Sequence, residues 1–357
     1  MTVNKIRLAI VMALATTSAA QADPPFFSYE GGITAVAQKS DLKKLEAGFS
    51  VSADLVAHYQ KQNWQLNLHL EGNVTPDDKS ITAQFPDVNA DAFSAFDKNK
   101  NGRIQISEFN VDYAVKQAAI DQISFGLMDP TNFFDGNEIM NDENTQFLAV
   151  PFTNNPTIEF PYYTIGVVTN INVGLKPYLK TTLGAFSGQG IGDKEGKYSF
   201  SPDKDGGFFI AETQLMETPI HKLSGGAWVH TGKHTHLKKT TQDNLNNYGL
   251  YLTGSHQMGQ NTFALRLGYS RPEVNELNKV LSLSIQHQYN TQWTTGAAGS
   301  YQAASYDNIH DTQAYEVYAR YQPVKADFYI TPSVQYFRNT SIAKNITTAS
   351  LRLSYQF

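Results

Sequence analysis

The sequence predicts an all-β, transmembrane antiparallel β-barrel of about 16 strands, with a small helical EF-hand-like insertion. Three observations carry this. Runs of about ten residues alternate apolar and polar side chains between turn residues. One such run, "TTASLRLSYQF", ends the sequence with an aromatic at its last position and another two before it. No apolar run after the N-terminal leader approaches the ~20 residues that a spanning helix needs.

The leader comes first. Lys5 and Arg7 precede the apolar core "LAIVMALA", and "SAAQA" supplies a small-residue cleavage site. Residues 1–22 therefore read as a secretory signal peptide cut after Ala22, and 23–357 as the exported barrel. Of 28 Lys+Arg two lie in the leader, against 33 Asp+Glu, so the mature chain is mildly acidic. Such a chain is a poor nucleic-acid binder. The absence of cysteine excludes disulfides, thiolate metal sites and thiol catalysis. Mean hydropathy, −0.37, fits a soluble chain, but a barrel dilutes its own signal because lipid-facing and lumen-facing residues alternate. The 19 Tyr and 21 Phe are the surplus that two aromatic girdles require.

Period-two alternation marks the strands. In "FSVSADLVAHY" the outward set is Phe49, Val51, Ala53, Leu55, Ala57 and Tyr59. In "WQLNLHLEG" it is Trp64, Leu66, Leu68 and Leu70. In "LSLSIQHQY", Leu281, Leu283, Ile285, His287 and Tyr289 oppose Ser282, Ser284, Gln286 and Gln288. A soluble sandwich alternates as well. The final run decides for a barrel: Ala349, Leu351, Leu353, Tyr355 and Phe357 share one face, and bare leucine and aromatic side chains on a soluble edge invite aggregation. It resembles the terminal strand read by the outer-membrane insertion machinery of Gram-negative bacteria. At ~18 residues per strand and its share of loop, ~290 residues give ~16 strands.

Between "WQLNLHLEG" and the strand-like run "AAIDQISFG" lies "AFDKNKNGRIQISEF", residues 95–109. Its loop positions are Asp97, Asn99, Asn101, Arg103 through its carbonyl, Gln105 through water, and Glu108. Gly102 and Ile104 fill the glycine and apolar positions of an EF-hand. The reading is a helical insertion over 86–118 holding Ca²⁺. Affinity is expected to be low, at a Kd of about 10⁻⁴–10⁻³ M, because Lys98, Lys100 and Arg103 oppose only two carboxylates.

Positions 125–168 read "FGLMDPTNFFDGNEIMNDENTQFLAVPFTNNPTIEFPYYTIGVV". This run resembles the carbohydrate-selective porin family, the OprB type. The match comprises Gly126, the Asp-Pro-Thr-x-Phe-Phe-Asp turn at 129–135, the Asn-Asp-Glu-x-Thr-Gln-Phe stretch at 141–147, Asn-Asn-Pro at 154–156, and the proline-aromatic re-entry at 161–162. Weaker echoes are "AETQL", "GGAWVHTGKH", "GLYLTGSHQM" and "FALRLGYSRPEVN". The resemblance implies a barrel of the outer-membrane porin type in the outer membrane of a Gram-negative bacterium. It further implies outer-membrane lipids as surroundings, small sugars or other hydrophilic solutes as cargo, a possible homo-oligomer, and a constriction loop over 127–160. A stretch this long without strand formers is too long for a hairpin turn. Asp129, Asp135, Glu138, Asp142 and Glu143 are its negative charges. On strands, Glu316, Tyr318 and Arg320 share a parity opposite to Tyr315, Val317 and Tyr321. Arg at mid-bilayer costs ~2–4 kcal/mol, so Arg266, Arg320, Arg352, Glu212 and Glu316 are placed in the lumen. Tyr318, Tyr329 and Gln335 are candidates for sugar contact.

"HTGKHTH" brings His230, His234 and His236 close in sequence. His234 and His236 can share a metal on an extended face, but no carboxylate sits at a matching spacing. No Ser-His-Asp order points to catalysis, so no catalytic residue is assigned. The competing functions are a calcium-dependent surface or adhesion barrel with a plugged lumen, and a barrel lipid hydrolase.

Overall fold

The alternating runs fold as strands, and the strands close on themselves. The computed structural model describes residues 25–74, 77–93, 102–117, 119–173, 179–194, 196–323 and 327–357. Residues 1–22 of the leader, and Asp97, Asn99 and Asn101 of the calcium loop, lie outside the described residues. Among the described residues sixteen strands form one closed antiparallel barrel. They are β1 (Phe26–Ser40), β2 (Gly48–Lys61), β3 (Trp64–Val74), β4 (Arg103–Gln117), β5 (Ile120–Met128), β6 (Thr164–Val173), β7 (Leu179–Ser187) and β8 (Gly207–Glu217). The second half holds β9 (His221–His234), β10 (Leu245–Met258), β11 (Asn261–Ser270), β12 (Leu277–Gln288), β13 (Trp293–Ala304), β14 (Thr312–Tyr321), β15 (Phe328–Arg338) and β16 (Asn345–Gln356). Each strand pairs with its sequence neighbours, and β1 closes on β16 from Gly32↔Gln356 to Ser40↔Thr348.

The apolar parity faces outward. On β12, Leu281 and Leu283 are exposed while Ser282 and Ser284 are buried. On β16, Leu351, Leu353 and Tyr355 are exposed while Ser350, Arg352 and Ser354 are buried. An apolar exterior over a polar interior is the inverse of a soluble sandwich and fits hydrocarbon outside. Closure removes the edge strand. Even Phe357 is paired: its amide donates to Gly31 O at 2.9 Å and its carbonyl accepts from Gly31 N at 3.0 Å.

The two rims differ. One carries short turns such as 62–63, 218–220 and 259–260, with Gln62 and Gly259 at positive φ, as tight hairpins require. Outward aromatics gather there, with Trp64 against Tyr113 at 4.3 Å and Trp293 against Tyr321 at 4.7 Å. The other rim carries the long connections, including 75–102 and 129–163.

The calcium-loop region departs from expectation. Helical turns occur at Ile81–Gln84, Pro86–Val88 and Ala90–Phe93. From Arg103 onward the chain is β4, so the exit helix of an EF-hand is absent and the insertion does not extend over 86–118 as a helical unit. The strand escapes notice in the sequence because it contains a bulge. His69 pairs with Glu108 and Leu70 with Ile106, which leaves Ser107 as the extra residue. Outward side chains therefore switch parity, from Ile104 and Ile106 to Phe109, Val111 and Tyr113.

Leu283→Arg sets a guanidinium in the middle of the outward face of β12. The expected loss of stability is about 2–4 kcal/mol in lipid, read from equilibrium unfolding in vesicles, whereas Ser282→Ala on the inward face should cost far less.

Candidate functional site in the barrel lumen

Residues 129–163 leave β5, enter the barrel and return to β6. Their backbone is irregular, with 3₁₀ turns at Pro130–Asn132 and Val150–Phe152. Such a backbone cannot satisfy its own N–H and C=O groups. Inward side chains of the wall do so instead. Glu316 accepts from Leu148 N at 3.0 Å and Ala149 N at 2.8 Å. Glu212 accepts from Asp135 N at 2.8 Å and from the Tyr251 hydroxyl at 2.8 Å. Arg320 donates to Thr145 O at 2.6 Å, and Arg352 donates to Gln146 O at 2.6 Å and to Glu143 O.

Arg266 is the central clamp, and it is fully buried. Its Nε lies 2.9 Å from Asp135 Oδ2, and its Nη2 donates to Met140 O at 2.9 Å and Asp135 O at 3.2 Å. Asp135 also accepts from Asn155 N at 2.9 Å, so the pair joins the outgoing and returning limbs. Asp135 itself turns the chain at φ 58°, a left-handed corner that Asp tolerates better than most residues.

Apolar packing completes the attachment. Phe134, Ile158 and Phe160 pack with inward Phe186, Phe208, Ile210 and Trp228. Ile139, Met140, Phe147 and Phe152 pack with Tyr318, Phe337 and Ile346, and with Ile81, Phe85 and Val88 of the 75–102 connection. Residues 81–88 thus enter the barrel too, and Val88 O accepts from Gln38 at 2.8 Å and Gln335 at 3.0 Å. Two glycines make room. A Cβ on Gly268 would lie 1.9 Å from Thr157 Oγ1, and one on Gly226 would lie 2.3 Å from the Tyr251 ring.

The residues assigned from sequence divide accordingly. Arg266, Glu316, Tyr318, Gln335 and Arg352 face inward from the wall but are buried beneath the inserted segments, and Asp135 is buried within the segment itself, so none of them lines water. Tyr318 packs edge-on to Phe147 at 5.0 Å and Tyr329 is buried, so neither offers a free ring to a solute. Asp129 caps the turn at Thr131, and Asp142 caps Asn144 and Thr145. Glu138 pairs with Lys222 at 2.8 Å. Glu143, Glu212 and Arg320 are half-buried. Of the calcium set, Gln105 donates to Glu71 at 3.0 Å. Glu108 accepts from Asn132 at 2.9 Å and Asp129 N at 3.2 Å, which ties the start of the segment to β4. Arg103 begins the strand.

Sequence reasoning missed the inward apolar cluster. A signal exists in "GFFIAE", where Phe208, Phe209 and Ile210 are consecutive and both faces of β8 are apolar. Towards the short-turn rim the interior is polar and partly exposed, with Asp54, His58, Asn67, Asp112, Asn170, Thr182 and Gln286 facing inward.

No protein-family model matches the chain. An uncharacterized protein of Aquifex aeolicus (strain VF5) is 27% identical over 205 residues, 54% of this chain; the chain spans 61% of that relative's length. Among solved structures the barrel is similar to OprB of Pseudomonas putida, at TM-score 0.71 and 10% identity over 93% of this chain and 94% of that one. A mutant of the Rh. blastica porin gives TM-score 0.60 at 12% identity, over 93% of this chain and all of that one. A loop-deletion mutant of OmpT, an outer membrane protein of Vibrio cholerae, gives 0.57 at 13%, over 94% and all. The fold is that of the 16-stranded porins.

Arg266→Met leaves the Asp135 carboxylate buried and unpaired. The expected cost is about 3–5 kcal/mol, seen as lowered unfolding stability and new protease cleavage within 129–163. Arg266→Met combined with Asp135→Asn should recover most of that loss.

Proposed function

We propose that the chain is an outer-membrane diffusion channel of a Gram-negative bacterium, passing small hydrophilic solutes, with neutral carbohydrates as the class. One observation carries this: an irregular segment is clamped across the inside of a closed barrel, above a polar interior half. An apolar exterior with aromatic residues at the rim fits a bilayer, and a polar interior fits water. The fold shared with porins supports a channel rather than an enzyme.

The preference for neutral solutes follows from how the charges are used. Arg266, Glu316, Arg352 and Asp135 are buried against backbone or each other, and Glu138 is paired with Lys222. Little transverse field remains at those positions. Asn170 and Thr182, which bond each other once, and Gln286, which among the described residues accepts only from Tyr318, keep amide and hydroxyl capacity to replace the water bonds of a polyol. The sugar-porin motif run at 125–168 supports the same class. Because two segments enter the barrel, a plugged surface protein is the competing reading.

Purified protein in a planar bilayer is expected to give stepwise conductance, and sugar-loaded vesicles should swell at rates falling with sugar size. Silence in both assays would favour the plugged barrel. Burial, with the Asp142 charge beside it, pushes the Glu143 carboxyl up to about 8. It is therefore protonated at pH 7 and negative at pH 9. Cation preference, measured as reversal potential in a salt gradient, should rise over that interval and stay flat in Glu143→Gln.

A further inference from the structure

Glu159, His230 and His234 meet at the long-loop rim, with one ligand atom from each lying within 4.8 Å of the others. The two imidazoles stand on the inward face of β9, and their rings are 5.1 Å apart at 85°. Gly232 lies between them, and a Cβ there would sit 2.5 Å from His230 Cε1. Only a residue without a side chain leaves the space between the rings clear. Glu159 comes from the returning limb of the inserted segment. Its carboxylate lies 2.9 Å from His234 Nε2 and accepts from Asn247 at 2.8 Å.

The hydrogen bonds orient His234 as a metal ligand requires. Its Nδ1–H donates to Gly232 O at 2.9 Å and Leu245 O at 3.0 Å, which directs Nε2 at Glu159. Metal-binding histidines are held in this way, with the second nitrogen on a backbone carbonyl. His230 is buried with Nε2 2.6 Å from Gly188 O and Nδ1 accepting from Gly232 N at 3.0 Å, so it would have to exchange one of these contacts to bind a metal. Glu159 and both histidines border a cavity of about 240 Å³, which leaves room for a water as fourth ligand.

We propose that Glu159, His230 and His234 form a site for a borderline divalent transition cation, with zinc as the probe. Two imidazoles and one carboxylate suit such ions, whereas calcium and magnesium select all-oxygen shells. For the His234–Glu159 pair the spacing is close to what zinc demands: bonds of about 2.0–2.1 Å at a tetrahedral angle set nitrogen and oxygen about 3.3 Å apart, so the present 2.9 Å contact need open only slightly, while His230, within 4.8 Å, would have to turn in. A bound ion would tie the returning limb of the segment to β9. The site is independent of what passes through the barrel.

The test is calorimetric titration of the folded full-length barrel in detergent with zinc, folding being checked by heat-dependent gel mobility. One saturable site per chain is expected, weakened about tenfold or more in His234→Ala and in Glu159→Gln. Magnesium should not compete. His256→Ala, which alters the stacked His221–His256 pair at the opposite rim, should bind as the parent does. The near-isosteric Glu159→Gln keeps the test valid if a histidine variant misfolds. Absence of saturable uptake at roughly millimolar zinc, unchanged affinity in Glu159→Gln, or loss of the site in His256→Ala would each overturn the proposal.

Discussion

An irregular chain segment placed inside a barrel must find partners for its own peptide groups, and this constraint shapes the interior. The wall answers with side chains rather than strands. Glu316 takes two amide protons, Glu212 takes one, and Arg266, Arg320 and Arg352 each cap carbonyls. Buried charges of this kind are tolerable because each is met by several fixed dipoles or an opposite charge. Charges that look like a transport device in one dimension turn out to be the scaffold of the segment.

The apolar packing follows from the same constraint. Hydrogen bonds fix where the segment runs, but the net gain from each is modest. Phe134, Phe147, Phe152 and Phe160 add dispersion and burial against wall residues such as Phe208, Trp228 and Phe337. The inserted segments therefore carry most of their apolar contacts onto wall residues such as Phe186, Phe208, Trp228 and Phe337. Towards the short-turn rim the lining stays polar.

Much of the wall was legible in the sequence, because alternation is local and the lipid-facing parity leaves no ambiguity in runs such as 281–289 or 349–357. Inward placement of Arg266, Glu316 and Arg352 was legible for the same reason. Their burial was not, since it depends on contacts with residues more than a hundred positions away. β4 was hidden by the bulge at Ser107, which breaks the period that reveals strands, while Asp97 to Glu108 supplied a competing pattern. Glu159 near His234 was equally invisible, because a carboxylate 75 positions distant leaves no spacing to read.

The seam between β1 and β16 has a consequence for biogenesis. Thr34 and Ser354, 320 positions apart, touch across it. Until those partners meet, the nascent sheet has two raw flanks, each offering unpaired peptide groups and greasy side chains to any passing strand. Closing the ring therefore joins the two ends of the sequence last, and the finished cylinder leaves no flank open.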